Sequence, residues 1–169
     1  MTFIRELKNL SNYQAKATRR VYITKKGTKK RRPLGIPTMF DRGVQTLYYF
    51  ALVPIAEEQA DSRNYGFRLF KSVHDIVVYL KLVLGNYTAS RRYILDADIE
   101  NFFSTVNHQW LLDNIIINKK ILKQFLLAGF VDRNTFYHTK EGFPQGSPIS
   151  PTLANMVLDG LQELCYENN

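Results

Sequence analysis

Residues 142–151 constrain the fold of this chain more than any other segment. They place two glycines and three prolines within ten positions, in the order Gly142-Phe143-Pro144-Gln145-Gly146-Ser147-Pro148-Ile149-Ser150-Pro151. Glycine tolerates positive φ, and proline fixes φ and removes a backbone donor, so this stretch favours a turn over a helix interior or a central strand. Apolar residues at helical spacing follow it, so the segment predicts a turn that opens a helix at Pro148 or Pro151.

Two carboxylates come shortly before this turn. Asp96 and Asp98 follow the apolar run Tyr93-Ile94-Leu95, and residues 92–99 predict a strand on which positions two apart share a face. Neighbouring carboxylates repel unless a cation lies between them. Mg²⁺ takes oxygen ligands and keeps substrate phosphates in its shell. The pair therefore indicates half of a site for a metal-bound nucleotide, and the alternative is two solvated acids at a strand edge.

Positive charge is concentrated in the N-terminal fifth of the chain. The net charge is +8, and residues 1–32 hold 11 Lys and Arg against a single acid, Glu6. The remaining residues hold 12 Lys and Arg against 14 acids. Such a block favours phosphate binding, because each neutralised phosphate releases condensed counterions. Val21, Tyr22 and Ile23 interrupt it and favour a folded strand over the alternative, a solvated basic tail.

Composition excludes several classes of protein. Apolar residues make up 45% of the 169 positions, with 11 Phe and 10 Tyr, which predicts a folded domain of ordinary size. Cys165 is the single cysteine and can form no internal disulfide. There is no run of 18 apolar residues and no secretory h-region in residues 1–20. We therefore expect no membrane partner, and a protein of the bacterial cytoplasm or of an organelle interior.

Periodicity predicts the order of the elements. A short helix over residues 3–12 precedes a basic β-hairpin over residues 19–37, whose prolines Pro33 and Pro37 confine the return strand to a sheet edge. Asp41 is the predicted N-cap of a helix over 41–60 that Pro54 ends or kinks.

Further helices are predicted after residue 60. Ser72 caps a predicted helix over 72–84 that Gly85 stops, with five residues directed inward: Val73, Ile76, Val77, Leu80 and Leu84. Residues 107–118 and 119–128 predict short helices that break near Asn118, and residues 134–140 predict an extended segment. This order is typical of an α+β fold.

The motifs resemble those of one family. Asp98-Ile99-Glu100-Asn101-Phe102-Phe103, followed by His108, resembles the first carboxylate motif of the reverse transcriptases encoded by group II introns. Residues 142–155 resemble the motif with which these enzymes position the nucleotide and the template. Four earlier blocks match in the same order: Arg19-Arg20-Val21-Tyr22-Ile23, Arg32-Pro33-Leu34-Gly35-Ile36-Pro37-Thr38, Asp41-Arg42 with Gln45, and Asn64-Tyr65-Gly66-Phe67-Arg68. The resemblance covers residues 13–161.

This resemblance implies an α+β fold with right-hand polymerase fingers and part of a palm, in which the basic hairpin and several helices surround a small antiparallel sheet. Residues 1–90 would form the fingers, with the hairpin near 19–37 and helices near 41–60 and 72–84. Residues 91–169 would form the partial palm, with the carboxylate strand at 92–99 and the Gln-Gly turn and helix at 142–165.

The resemblance also implies site residues. Asp98 would bind a pair of catalytic Mg²⁺ ions with the Ile99 carbonyl, and Phe103 would exclude a 2′-hydroxyl. Gln145 and Gly146 would pack against the incoming nucleotide and the templating base. Arg32 and either Lys25 or Lys26 would hold the triphosphate as charge-assisted donors. The residues implied to contact nucleic acid are Arg19, Arg20, Lys29, Lys30, Arg31, Asn64, Tyr65 and Arg68, and for the last three a packing role is the alternative.

The chain departs from the family at three places. Ser104 stands where the family usually has Asp, and Leu69-Phe70-Lys71-Ser72 replaces Pro-Gly-Arg-Ser. The third motif, Tyr-Ala-Asp-Asp, is absent from the sequence. Paired metals need several carboxylates, so we expect no polymerase activity from this chain alone.

The resemblance implies a function for the completed protein. The chain would be the RNA-binding part of a reverse transcriptase-maturase that acts in Mg²⁺-dependent, RNA-templated DNA synthesis and in intron splicing and mobility. Its partners would be intron RNA, template and primer, a deoxynucleoside triphosphate and a second chain carrying the rest of palm and thumb. The alternative is an inactive remnant that serves as an RNA-binding or structural component of a ribonucleoprotein. A DNA-templated polymerase palm is disfavoured by the Arg-Pro-Leu-Gly-Ile-Pro block.

Overall fold

A basic β-hairpin and a second, shorter hairpin form one four-stranded sheet. The computed structural model describes residues 2–24, 27, 29–85 and 96–167. The strands are β1 Thr18–Thr24, β2 Arg31–Ile36, β3 Phe130–Asp132 and β4 Thr135–Tyr137. The helices are α1 Thr2–Lys8, α2 Met39–Gln59, α3 Val73–Leu84, α4 Phe102–Thr105, α5 His108–Asn114, α6 Lys119–Leu127, α7 Ser150–Leu158 and α8 Leu161–Glu167. The predicted α+β class is confirmed.

The sheet has the strand order β2-β1-β3-β4. β1 pairs with β2 and β3 pairs with β4 in antiparallel register, whereas β1 and β3 run parallel through Thr18 and Arg19. The predicted basic hairpin is confirmed, and β2 lies at the sheet edge, where its Pro33 removes no donor from a central ladder. The sheet is mixed because β3, which the sequence did not reveal, follows a helical connection and joins β1 from the side opposite β2.

Helix α2 begins before its predicted cap. Thr38 is the N-cap, and its hydroxyl accepts from the Asp41 amide at 3.2 Å. Asp41 itself is 2% exposed, and its carboxylate accepts from the Tyr13 hydroxyl at 2.7 Å. Burial and this hydrogen bond raise the pKa of Tyr13 well above its ordinary value. Pro54 does not end the helix, because it lies on the exposed side, where water can hydrate the carbonyl that it leaves without a donor.

The main core lies where α2, α5, α6 and α7 meet. α2 packs on α7, and α5 packs on α6. The fully buried apolar side chains at this junction are Val44, Leu52, Leu111, Leu122, Leu126, Ile149 and Leu153. Asn118 caps α6 by accepting from the amides of Lys120 and Ile121, which explains the predicted break between α5 and α6.

Helix α3 has the predicted ends but not the predicted burial. Ser72 and Asp75 form a reciprocal capping box, and Gly85 is the C-cap. However, none of the α3 residues is buried, and Val73 is 74% exposed. The expectation that these residues face inward is therefore wrong for Val73, Val77, Leu80 and Leu84, which are exposed, whereas Ile76 is half-buried.

One other prediction needs correction, and another lies largely outside the described residues. The single helix predicted to follow the turn and to end near residue 165 is divided in two, because Gly160 adopts φ +86° after α7 ends and α8 starts at Leu161. The carboxylate strand over 92–99 falls largely outside the described residues, and its described part, 96–99, lies in no strand. The division into 1–90 and 91–169 stays a prediction. In the described part of the chain, no helix is both long and apolar enough to span a bilayer.

Candidate active site

The turn formed by residues 142–147 is bound to the segment that carries Phe103. The Phe143 amide donates to the Phe103 carbonyl at 2.8 Å, and the Gly142 amide donates to the Val106 carbonyl at 2.7 Å. Gly142 has φ +71°, and a Cβ there would collide with the Phe103 carbonyl. Only glycine therefore allows this approach, which brings two of the predicted site segments together.

The same turn rests on the edge strand of the basic hairpin. The Gly35 amide donates to the Gln145 carbonyl at 2.7 Å. Gly146 has φ +105°, and a Cβ there would lie 2.8 Å from Leu34 Cδ1. Gln145 and Gly146 thus sit directly against β2, so the hairpin, the Phe103 segment and the turn converge.

Gln45 and His108, to which the sequence assigned no role, hydrogen-bond to this turn and hold it in place. The Ser147 hydroxyl donates to Gln45 Oε1 at 2.6 Å, and both residues are buried. His108 Nε2 lies 2.6 Å from the Gly142 carbonyl, so its ring carries a proton on Nε2 that it donates there. Gln45 and His108 both belong to the motifs quoted above, and that membership was the sign in the sequence that they have a role.

Phe103 is half-buried beside the turn. Its ring meets Phe143 edge to face at a centroid distance of 5.2 Å, and it meets Phe102 in the same way at 5.8 Å. Such contacts fix the ring plane. The ring lines a cleft of about 530 Å³ that Gln145, Gly35 and Arg20 also line. A fixed aromatic at the edge of an open cleft is suited to limiting the shape of a bound ligand.

The hairpin cations differ in their surroundings. Arg19, Lys29, Lys30, Arg31 and Arg32 are exposed, whereas Lys25 and Lys26 lie outside the described residues. Arg31 and Arg32 pair with Thr24 and Ile23 at the tip end of the hairpin. In the described part of the chain no ion pair uses their side chains, so these solvated cations are available to phosphate.

Arg20 points instead toward β3. Its guanidinium carbon lies 3.3 Å from the ring centroid of Phe130. Beside it, the Tyr22 hydroxyl donates to Asp132 at 2.6 Å, and this bond raises the pKa of Tyr22 while nearby Arg20 opposes the rise.

The structure favours the packing alternative for Arg68. Its guanidinium makes two bonds to Glu57 Oε2, at 2.9 and 3.0 Å, and donates to the carbonyls of Asp61 and Asn64. Its side chain is only 8% exposed. Asn64 accepts from the Gly66 amide, and the Lys71 ammonium lies 5.0 Å from the Tyr65 ring. These contacts shape the 61–72 loop and leave Arg68 no free donor edge for a template.

The carboxylates themselves do not line this site, although Phe103 of the same motif does. Asp96, Asp98 and Ile99 are exposed, and none of them lines the cleft that contains Phe103 and Gln145. Within 2–24, 27, 29–85 and 96–167, no three His, Cys, Asp or Glu side chains gather closely enough to hold a metal ion. The Asp98 carboxylate and the Ile99 carbonyl suit Mg²⁺ in ligand type, but they are too few for a pair of ions.

The chain is similar to known proteins along almost its whole length. The family described as "Reverse transcriptase (RNA-dependent DNA polymerase)" matches residues 23–169. "Protein YkfC" of Escherichia coli K12 is 36% identical over 163 residues, which are 92% of this chain and 42% of that protein. "Group II intron-encoded protein LtrA" of Lactococcus lactis subsp. cremoris is 34% identical over 170 residues, 97% of this chain and 28% of LtrA.

A yeast protein is also similar to this chain. "Putative COX1/OXI3 intron 2 protein" of Saccharomyces cerevisiae is 30% identical over 164 residues, 92% of this chain and 18% of that protein. The chain therefore spans less than half the length of each of these relatives.

Proposed function

Because the chain belongs to the reverse transcriptase (RNA-dependent DNA polymerase) family, we propose that it supplies the RNA-binding fingers and first part of the palm of a group II intron reverse transcriptase-maturase. In this proposal it contributes to RNA-templated DNA synthesis, and to splicing and mobility of the intron, once further residues complete the palm. The names of LtrA and of the yeast intron protein support the intron branch of the family.

One observation carries the proposal. The turn with Gln145 is hydrogen-bonded on one side to β2 through Gly35 and on the other to Phe103. A nucleotide at this junction has hairpin cations for its phosphates, Gln145 beside its base and Phe103 beneath its sugar. Fixed donors at such positions favour in-line phosphoryl transfer, because catalysis here is mainly positioning and charge stabilisation.

The proposal assigns magnesium binding to Asp98 and Ile99. The carboxylate and the Ile99 carbonyl would supply two oxygen ligands, and additional carboxylates would come from the polypeptide that completes the palm. When bound, the metal neutralises charge on the reacting phosphate. Exposed Asp98 is free to take part, since no hydrogen bond or ion pair of the described residues uses its side chain.

Exposed apolar surface supports completion by additional polypeptide. Val73 and Leu82 on α3 are 74% and 70% exposed, and Leu161 on α8 is 55% exposed. A helix that exposes several apolar side chains is typical of a contact surface.

Primer extension tests the proposal. The 169-residue chain is assayed on an RNA template with a DNA primer and Mg²⁺, alone and mixed with the part of LtrA that follows the matched region. We expect extension only in the mixture, and its loss with Asp98→Asn. Extension by the chain alone would contradict the requirement for completion. RNA binding without extension in any mixture would favour the inactive ribonucleoprotein component instead.

Ribonucleotide incorporation tests the proposed role of Phe103 in excluding a 2′-hydroxyl. Phe103→Ala in the active mixture should increase ribonucleotide incorporation relative to deoxynucleotide, because it removes the ring beneath the sugar. Phe102→Leu is the matched control, since Phe102 contacts the same aromatic cluster. Equal ribonucleotide incorporation by both variants would remove Phe103 from this role.

A further inference from the structure

We infer that His108, through its hydrogen bond to the Gly142 carbonyl, is a positioning residue that sets how strictly the completed enzyme selects deoxynucleotides. The inference rests on the proposed function, which supplies the reaction. It gives a role to a side chain that does not line the cleft containing Phe103 and Gln145. His108 therefore acts through the turn and not on the nucleotide itself.

A single peptide unit carries the effect of His108. The Gly142 carbonyl lies 2.6 Å from His108 Nε2. The Phe143 amide, which is part of the same peptide unit, donates to the Phe103 carbonyl at 2.8 Å. A peptide unit is rigid and planar, so its carbonyl and its amide turn together. His108 at one end and Phe103 at the other thus hold this plane in one orientation.

Gly142 makes the plane easy to rotate. It adopts φ +71° and has no Cβ, so the backbone torsion beside the plane is permissive. The Gly142 amide donates to the Val106 carbonyl at 2.7 Å, but this amide belongs to the preceding peptide unit. Without the His108 side chain, the bond to Phe103 is the one hydrogen bond that the described residues still make to this plane.

Rotation of the plane would displace groups on both sides of the proposed nucleotide position. On one side, the Phe143 ring meets the Phe103 ring edge to face at 5.2 Å between centroids. On the other side, Gln145 follows two residues later, and its carbonyl is held by the Gly35 amide. Exclusion of a 2′-hydroxyl depends on a small clearance beneath the sugar, and a misplacement of about 1 Å can cost about 100-fold in a positioned reaction.

The His108 side chain can be changed without removing the cap of α5. Asn107 caps this helix by accepting from the amides of Gln109 and Trp110, and neither bond uses the His108 ring. The ring is half-buried and also lines a separate cavity of about 380 Å³, so a new side chain has room there. Substitution at this position therefore removes the bond to the turn and leaves the start of the helix intact.

Amide hydrogen exchange of the 169-residue chain tests the hold on the plane. His108→Gln keeps an amide donor near the position of Nε2, whereas His108→Leu keeps apolar bulk and removes the donor. The Phe143 amide reports on the plane, and the Leu153 amide, bonded within the core, reports on general opening. Gln109→Leu is the control, because Gln109 is exposed on the same helix and its side chain donates to Asp113 and not to the turn.

We expect His108→Leu to raise the exchange rate of the Phe143 amide relative to Leu153 by about 3- to 10-fold, the factor that corresponds to one net hydrogen bond. His108→Gln and Gln109→Leu should match the wild type. Equal increases at both amides would show a general loss of stability and would overturn the inference, as would an unchanged Phe143 amide. His108→Asn, whose side chain is too short to reach the Gly142 carbonyl, takes the place of His108→Leu if the latter does not fold.

Primer extension in the active mixture tests the role in selection. The measured quantity is kcat/KM for a deoxynucleotide divided by kcat/KM for the matching ribonucleotide. His108→Leu should lower this ratio by about 10- to 100-fold, and His108→Gln should restore it. A merely structural role would reduce the amount of folded protein and leave the ratio unchanged.

The outcomes separate this inference from the proposed function. Extension by the wild-type mixture, together with an unchanged ratio in His108→Leu, refutes only the role of His108. A wild-type mixture that extends no primer refutes the proposed function, and the role of His108 in selection with it.

Discussion

The backbone amide of Gly35 donates a 2.7 Å hydrogen bond to the carbonyl of Gln145. These residues are far apart in the sequence, and their hydrogen bond joins the edge strand of the basic hairpin to the turn before α7. Phe103 is bound to the same turn from the other side. The proposed position of a nucleotide beside the hairpin and the turn thus depends on how closely the two backbones approach.

Gly35→Ala tests this close approach. An added Cβ would lie 3.0 Å from Pro144 Cβ and 3.1 Å from Thr18 Oγ1, and overpacking of this kind costs about 1–3 kcal/mol. Urea unfolding measures the change. Gly66→Ala is the control, because its Cβ would meet nothing closer than 3.7 Å. Equal stability of the two variants would contradict the tight approach.

The buried bond between Ser147 and Gln45 should stabilise the turn. Ser147→Ala leaves Gln45 Oε1 without its donor in a site where both residues are buried. We expect a loss of about 1–3 kcal/mol in the free energy of unfolding. Adding Gln45→Leu should recover part of that loss, because the unpaired carbonyl is then removed. A strictly additive double-mutant cycle would show that the two side chains act independently.

Arg68→Met should lower stability more than RNA affinity. The change leaves the Glu57 carboxylate without its partner and removes the Arg68 donors from the carbonyls of Glu57, Asp61 and Asn64, so we expect a loss of about 1–3 kcal/mol in thermal or urea unfolding. Arg42→Met, at an exposed position, is the control. A folded Arg68→Met protein with sharply weakened RNA binding would restore the template role.

The hairpin cations should set the salt dependence of RNA binding. Replacing Lys29, Lys30, Arg31 and Arg32 by Gln should reduce the slope of log affinity against log salt by about 0.7 for each phosphate of a single strand that the variant no longer neutralises. Replacing the exposed α6 lysines Lys119, Lys120 and Lys123 by Gln changes the net charge by a similar amount elsewhere. Equal slopes for the two sets would exclude the hairpin as the main phosphate-binding surface.

Asp159→Asn should stabilise the protein at neutral pH. Burial, reinforced by nearby Asp61 and opposed by Arg68, raises the pKa of Asp159, and its Oδ1 has no hydrogen-bond partner among the described residues. A raised carboxyl pKa means that the ionised form destabilises the fold, so wild-type stability increases as pH falls through that pKa. The group is only partly buried, so we expect a Tm increase of about 1–3 °C at pH 7. The increase should vanish at low pH in a series of melting curves.

Local signals predicted the local features of the fold. The Ser72 cap, the Gly85 stop, the break at Asn118 and the edge position of Pro33 each depend on groups within a few residues. The resemblance to group II intron reverse transcriptases is confirmed by the family match and by the named relatives. The proposed roles of Asp98, Phe103 and Gln145 stay predictions, because they concern ligands.

Features that depend on distant partners were not predictable. The position of Asp41 in the sequence predicts a helix cap, but the hydroxyls of Tyr13 and Thr38 donate to its carboxylate and help to bury it. The short strand β3 has little pattern of its own, and it forms because β1 offers it a free edge. The helical period of α3 is clear, yet the period cannot show whether anything packs against the apolar face.

The sequence by itself determined the family, the basic hairpin and the glycine-rich turn, since residue type fixes motif, charge and allowed φ along the chain. Only the tertiary structure decided that Phe103, Gln145 and Gly35 meet, that Arg68 faces inward and that Arg20 stacks on Phe130. These residues come together across long stretches of sequence, and they meet only after the core beneath α2 and α7 has brought the segments together.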